Sequence, residues 1–346
     1  MGILKMTGKV DVGQFWPDGA SDADTVNLEV KVASGGFEFQ SDPSKPFKAI
    51  SILDTALVKG SAAKATPVVD AKGIVRIRLQ GIDAPELHYQ LDARQLPKDT
   101  TDAQRQDLKT KKCYRKFRQP VGETAAAALG SKLSALGGMV DIEVLTEVDY
   151  PNEVFDTYGR FIGDIYVLTP AKLNLNMWLV QNGWAYPTFY ASMTRDEIEA
   201  YMAAAVAASK LTPKPPVWKQ YSKKIGPLDE TLLYQQPTAT SKPQPANNSG
   251  PVVLPKLFRR LVSYAMCKKV GITRKSLAAF LAEKPDECYL TSEFLSQGSH
   301  AAQTRYLHEF VDAKGTFKLL PQDLVFREKP SKLVDASGAE IKNWGL

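Results

Sequence analysis

RLQGIDAPE, residues 78–86, is a strand end followed by a stiffened turn. Upstream of the turn Val75, Ile77 and Leu79 alternate with Arg76, Arg78 and Gln80, so one face of the strand is core and Arg78 lies on the other. Asp83 and Glu86 follow three residues apart, with Pro85 fixing the path between them. Guanidinium forks match phosphate oxygens, and clustered carboxylates match a hard divalent cation. The turn therefore carries the residues to hold a phosphate and a metal together.

Around this stretch the chain reads as strands first and helices later. Residues 9–32 and 75–82 alternate in the strand manner, with Val26, Leu28, Val30 and Val32 on one face. An alanine-rich helix over 123–136 carries Leu129, Leu133 and Leu136 and stops at Gly137 and Gly138. Strands resume at 140–147 and 160–168. Leu173, Met177, Val180 and Trp184 recur at helical spacing, and Thr194 with Glu197 forms a capping box before the stripe Ile198, Met202, Val206. The order β-β-β-α-β-β-α-α predicts an α+β fold, a small five-stranded barrel with three helices packed outside it.

The totals bound the rest. At 346 residues the chain suggests two domains. Forty-four Lys and Arg against 38 Asp and Glu give a net charge of +6, a mild bias toward polyanions. No apolar run reaches the roughly 18 residues of a membrane span, and the N-terminus lacks the apolar core of a signal peptide, so a cytoplasmic location and no membrane partner are expected. Cys113, Cys267 and Cys288 are odd in number and scattered, which points to reduced thiols and to neither a disulfide framework nor a zinc site.

Seven of the 22 prolines fall between 211 and 250, beside the polar string QQPTATSKPQPANNSG, and the composition predicts a linker over 211–252. Residues 253–346 resume globular composition as a smaller, mainly helical α+β domain. Helical patterns run over 257–269, 274–282 and 299–311, and strand-like pieces over 316–320 and 324–327. The segment holds 15 Lys and Arg against 10 Asp and Glu, net +5, so a protein or nucleic-acid partner is the expectation its charge carries.

Four pieces, SDADT at 21–25, RLQGIDAPE at 78–86, DTYGR at 156–160 and LNMWLVQNGWA at 175–185, together resemble the staphylococcal nuclease (thermonuclease) family. Each string alone is weak; the specificity lies in their order and in their placement at strand ends. The resemblance covers about residues 5–210 and implies an OB-fold barrel, in agreement with the element order. It implies a calcium ion held by Asp24, Asp83 and the carbonyl of Ala84, with Asp22 in its outer shell, an all-oxygen set that suits calcium. It implies Glu86 as general base and Arg78 and Arg160 as the phosphate grip. The implied activity is calcium-dependent hydrolysis of DNA and RNA with little sequence preference, leaving 3′-phosphate ends. Tyr158, Tyr186 and Tyr190 fall where the family places rings around the base, and Phe189 lies among them with core packing as an equal account.

Each site residue has a plainer reading. Asp24 beside Thr25 caps a turn, Glu86 after Pro85 is a solvated turn carboxylate, and Arg160 after Gly159 stabilises a β-turn. The filling of all five ionisable positions favours a working site. The alternative function is a non-catalytic nucleic-acid-binding or scaffold protein using the same barrel. Two insertions depart from the minimal family pattern, at about 34–73 and about 88–120. The first has no readable role. The second contains KTKKCYRKFR at 109–118, either a substrate-gripping loop beside the site or a solvated basic loop. His88, two residues from Glu86, reads as a bystander or substrate contact.

Overall fold

Strand β1, Gly2–Asp11, buries Leu4, Met6 and Val10 and turns Lys5 and Lys9 outward, and it is the seam that closes the barrel. Its partners on the two sides are β2 (Thr25–Val30) and β4 (Met139–Val148), both antiparallel. β2 pairs with β3 (Ile74–Leu79), β3 pairs in parallel with β5 (Phe161–Val167), and β5 returns antiparallel to β4. The circuit β1-β2-β3-β5-β4-β1 is the expected closed five-stranded barrel, mixed in strand sense. The computed structural model describes residues 2–30, 36–60, 64–236, 243–329 and 331–345. Val32, expected on the β2 face, lies outside the described residues.

Three helices seal the barrel. α1 (Gly122–Ser134) presents Ala125, Leu129 and Leu133 to the core; α2 (Leu175–Gln181) and α3 (Arg195–Lys210) add Leu179, Val180, Ile198, Tyr201 and Ala205. The Thr194–Glu197 capping box starts α3. α2 is pinned to the parallel seam by the buried Asn176, whose Nδ2 donates to the carbonyls of Gln80 (3.0 Å) and Gly163 (3.1 Å) while its Oδ1 accepts from the Ile165 N–H (3.1 Å). A buried amide with all these partners fixes one register for the helix.

The C-terminal segment is built onto the barrel. α4 (Pro255–Lys269) buries Leu257, Phe258, Leu261, Val262 and Met266 in a second core, and that core takes Leu91, Leu96, Leu108, Cys113 and Phe117 from the 88–120 insertion. The short strand Leu324–Phe326 pairs in parallel with Phe189–Tyr190, and Lys332–Val334 pairs with Leu57–Lys59 of the 34–73 insertion. Trp344 stacks on Phe39 at 5.0 Å. Both insertions thus receive the C-terminal segment. The described part of 211–252 runs along the same junction, with Val217, Trp218, Ile225, Tyr234, Gln244 and Val252 buried.

Two expected elements differ. The helix predicted over 299–311 is absent; α-helix lies at Thr291–Gln297 instead, and Leu307–Phe310 is a short 3-10 turn. Gly298, at φ +75°, ends the helix, and the polar run that follows offers no apolar stripe to continue it. Residues 316–320 contribute isolated bridges at Thr316 and Phe317 in place of a strand. The three cysteines are free and buried.

Candidate active site

Pairing register gathers the site at one rim of the barrel. Thr25 lies opposite Arg78 and Ile162 beside it, so the start of β2, the end of β3 and the start of β5 meet. Asp24 is tied to this rim by its carbonyl, which accepts the Leu79 N–H at 2.9 Å. Beyond β3 the chain reverses at Gly81, φ +74°, where an added Cβ would come within 3.0 Å of Met193 and Tyr201. Ile82–Asp83 then pairs with Tyr186–Pro187. The path to Glu86 is held by Gln119, buried, whose Oε1 accepts the Glu86 N–H (3.1 Å), whose own N–H donates to the Glu86 carbonyl (2.8 Å), and whose Nε2 donates to the Val253 carbonyl (2.9 Å).

Arg78 is buried at 8% exposure, with its Nη2 3.5 Å from Asp83 Oδ1 and its guanidinium 5.5 Å from the Tyr190 ring. Its Nε has no hydrogen-bond partner among the described residues. A sealed guanidinium with a spare donor is matched to an anion. Arg160 donates from Nε to Asp156 (2.7 Å) and from Nη1 to the Thr25 hydroxyl (2.9 Å), and its guanidinium stands 5.7 Å from the Tyr158 ring. Asp156 also accepts the Tyr158 and Arg160 N–H groups, so the DTYGR turn orients its own terminal arginine.

The carboxylates are unequal. Asp83 has no exposed surface; burial alone would raise its carboxyl, but the guanidiniums of Arg259 and Arg78 hold it below its ordinary value. Burial pushes the Glu86 carboxyl up, to about 8, against the pull of Arg259, with Asp22, Asp83 and Asp24 reinforcing the rise. Asp22 is raised by burial, opposed by His88, and its Oδ1 accepts the Leu87 N–H at 3.0 Å. His88 Nε2 bonds the Ala20 carbonyl at 2.6 Å and stands 4.0 Å from Asp22, so it steadies the rim beside the site.

The structure brings Arg78, Asp83, Glu86, Tyr190 and an additional arginine together. Arg259, from α4, grips Asp83 with both prongs, Nη1 to Oδ1 at 3.2 Å and Nη2 to Oδ2 at 3.1 Å, and Nη1 also donates to Glu86 Oε1. Arg259 and Gln119 were not legible as site residues. The pair Arg259-Arg260 inside the buried run LFRRLV is the sequence signal for the first, because charge in an apolar helix stripe calls for a buried partner.

This arrangement does not fit calcium. The ion takes 6–8 oxygen ligands, whereas both Asp83 oxygens and one of Glu86 face guanidinium nitrogens, and among the described residues no three of His, Cys, Asp or Glu converge as a cage. Asp24, 6% exposed, accepts from the Thr25 hydroxyl at 3.1 Å, and the Ala84 backbone is buried beside Asp83.

The aromatic residues divide. Tyr158 is 52% exposed beside Arg160 and Arg94, open to a ligand. Tyr186, expected at the substrate, is fully buried; its hydroxyl donates to the carbonyls of Val217 (3.0 Å) and Val252 (3.3 Å) and its ring packs on Trp218 and Tyr221. It holds the barrel to the segment leading into α4, and Phe189 is likewise core. Within KTKKCYRKFR, Cys113 and Phe117 are core, Arg115 pairs with Glu230, and Arg118 pairs with the buried Glu123.

Residues 76–219 match the family described as Staphylococcal nuclease homologue. The match begins within β3, and β1, β2 and Asp24 lie before it. The chain is also similar to endonuclease YhcR of Bacillus subtilis (strain 168), 28% identical over 183 residues. That alignment takes in 53% of this chain and 12% of the relative. No helix among the described residues is long and apolar enough to cross a membrane. With the closed barrel, the arginine pair and the turn from Asp83 to Glu86 in place, residues 76–219, under half of the chain, are assigned to a staphylococcal nuclease homologue domain.

Proposed function

We propose that the protein hydrolyses phosphodiester bonds of DNA and RNA with little sequence preference and leaves 3′-phosphate ends. The observation that carries this reading is the meeting of Glu86, Arg78 and Arg160 at one barrel rim, Arg78 buried against Asp83 and Glu86 half-buried and joined to Asp83 through Arg259. Glu86 Oε2 makes no hydrogen bond among the described residues, so the carboxylate keeps one oxygen for a water while the other is held by Arg259. That oxygen takes a proton as the water attacks phosphorus; the bond to the 5′ oxygen breaks, and the departing oxygen takes a proton from solvent. Burial raises the proton affinity of this carboxyl, which strengthens it as a base once ionised. Arg78 and Arg160 neutralise charge on the non-bridging oxygens, Arg78 from a dry position where its charge counts most. Tyr158 offers an aromatic face that accepts any base, which suits tolerance of sequence.

Calcium enters through the family resemblance, and no step here is routed through it. The rival reading, a non-catalytic nucleic-acid-binding barrel, draws on the sharing of Glu86 with Arg259. Both are tested by incubating the full chain with single- and double-stranded DNA and RNA, with calcium or with chelator, beside Glu86→Gln. Degradation to 3′-phosphate ends that the substitution suppresses supports hydrolysis; binding without cleavage in every condition supports the rival.

A further inference from the structure

We infer that Arg259 is the resident cation of this site, seated on Asp83 and Glu86 where a divalent ion would otherwise sit, so that the carboxylates are satisfied without a metal. The geometry is that of a fork on a carboxylate. Nη1 and Nη2 take the two Asp83 oxygens at 3.2 and 3.1 Å, and Nη1 extends to Glu86. With Arg78 at 3.5 Å from Asp83, two guanidiniums face the buried Asp83 carboxylate. Asp83 is fully buried, so an unpaired charge there would be expelled or protonated; Arg259 removes that need.

The contact is fixed by the whole junction. α4 is buried along Leu257, Phe258, Leu261 and Val262, and the next residue, Arg260, forks onto Asp286 at 2.8 and 2.6 Å. The residues before α4 are tied to the barrel twice, Val253 through Gln119 to the Glu86 turn and Val252 through the Tyr186 hydroxyl. Withdrawing Arg259 to admit an ion would break these together. Arginine also suits a permanent occupant because it stays protonated and matches a planar carboxylate. The positive charge that faces an incoming phosphate is then supplied by Arg78, Arg160 and Arg259.

The inference rests on the proposed hydrolysis only in its cleavage arm. Calorimetric titration of the full chain with calcium chloride reads the occupant of the carboxylates whether or not the protein cuts. The expected result is no saturable uptake by wild type or by Asp83→Asn, and one site in Arg259→Gln at least tenfold tighter than any wild-type binding. Wild-type cleavage, where present, is expected to be unchanged by EGTA, and Arg259→Lys, which keeps the charge and loses the fork, to remain indifferent to calcium. Uptake of one calcium by wild type that Asp83→Asn abolishes would overturn the inference, as would wild-type cleavage that EGTA stops. Where circular dichroism finds Arg259→Gln unfolded, wild type against Asp83→Asn decides alone: no uptake in either supports the resident arginine, and uptake lost on substitution removes it.

Discussion

Gln119 grips the backbone of Glu86 on both sides, its side-chain Oε1 accepting the Glu86 N–H at 3.1 Å and its own backbone N–H donating to the Glu86 carbonyl at 2.8 Å, while its Nε2 donates to the Val253 carbonyl at 2.9 Å. The general-base candidate and the helix carrying Arg259 are therefore positioned by one buried side chain. Gln119→Ala leaves the Glu86 N–H and the Val253 carbonyl without partners. A loss of roughly 2–4 kcal/mol in chemical denaturation is expected. Cleavage should fall by about 10–100-fold, since a displaced carboxylate is a poor base. Full stability together with full activity in that variant would show that the side chain is incidental.

Glu86→Gln keeps the shape of the side chain and removes its proton affinity. Single-turnover cleavage of an oligonucleotide should fall by about 10²–10⁴-fold. Binding of the uncut oligonucleotide should change much less. A variant that cuts at the wild-type rate would end the assignment of Glu86 as base.

Tyr158 and Tyr186 make a matched pair of tests, one exposed and one sealed. Tyr158→Ala should raise KM for nucleic acid about tenfold, the loss of one base stack, with thermal stability unchanged. Tyr186→Phe should leave KM unchanged and cost about 1 kcal/mol, because two carbonyls lose their donor. The reverse pattern would return Tyr186 to the substrate.

Asp164 on β5 offers a pH test away from the site. Burial raises its carboxyl to about 6 from an ordinary 3.8, against the hydrogen bond from the Tyr201 hydroxyl at 2.8 Å. The folded chain thus holds more protons than the unfolded chain between these values. This group favours folding below pH 3.8, and its contribution is lost as pH rises through 6. Asp164→Asn, which can still accept from Tyr201, should be more stable than wild type at pH 7 by about 2–3 kcal/mol, with the gap closing near pH 4. Equal stability of the two proteins at both pH values, by denaturant titration, would refute the shift.

The barrel and the positions around its rim were legible from sequence because they rest on local rules. Period-2 alternation made β2 and β3, Pro85 set the path from Asp83 to Glu86, and the Thr194–Glu197 box started α3. Those signals span a few residues each. The third C-terminal helix was misplaced because its segment lacks a stripe, and Gly298 ended the preceding turn of helix instead. Tertiary structure alone decided what met at a distance: that both insertions form the seat for residues 253–345, that Tyr186 is sealed under Val252, and that Arg259 reaches Asp83 across 176 positions of chain. No periodicity encodes such a pairing. It follows from burial, since a fully buried carboxylate at the end of β3 and an arginine in an apolar helix each need an opposite charge, and the folded junction brings them together.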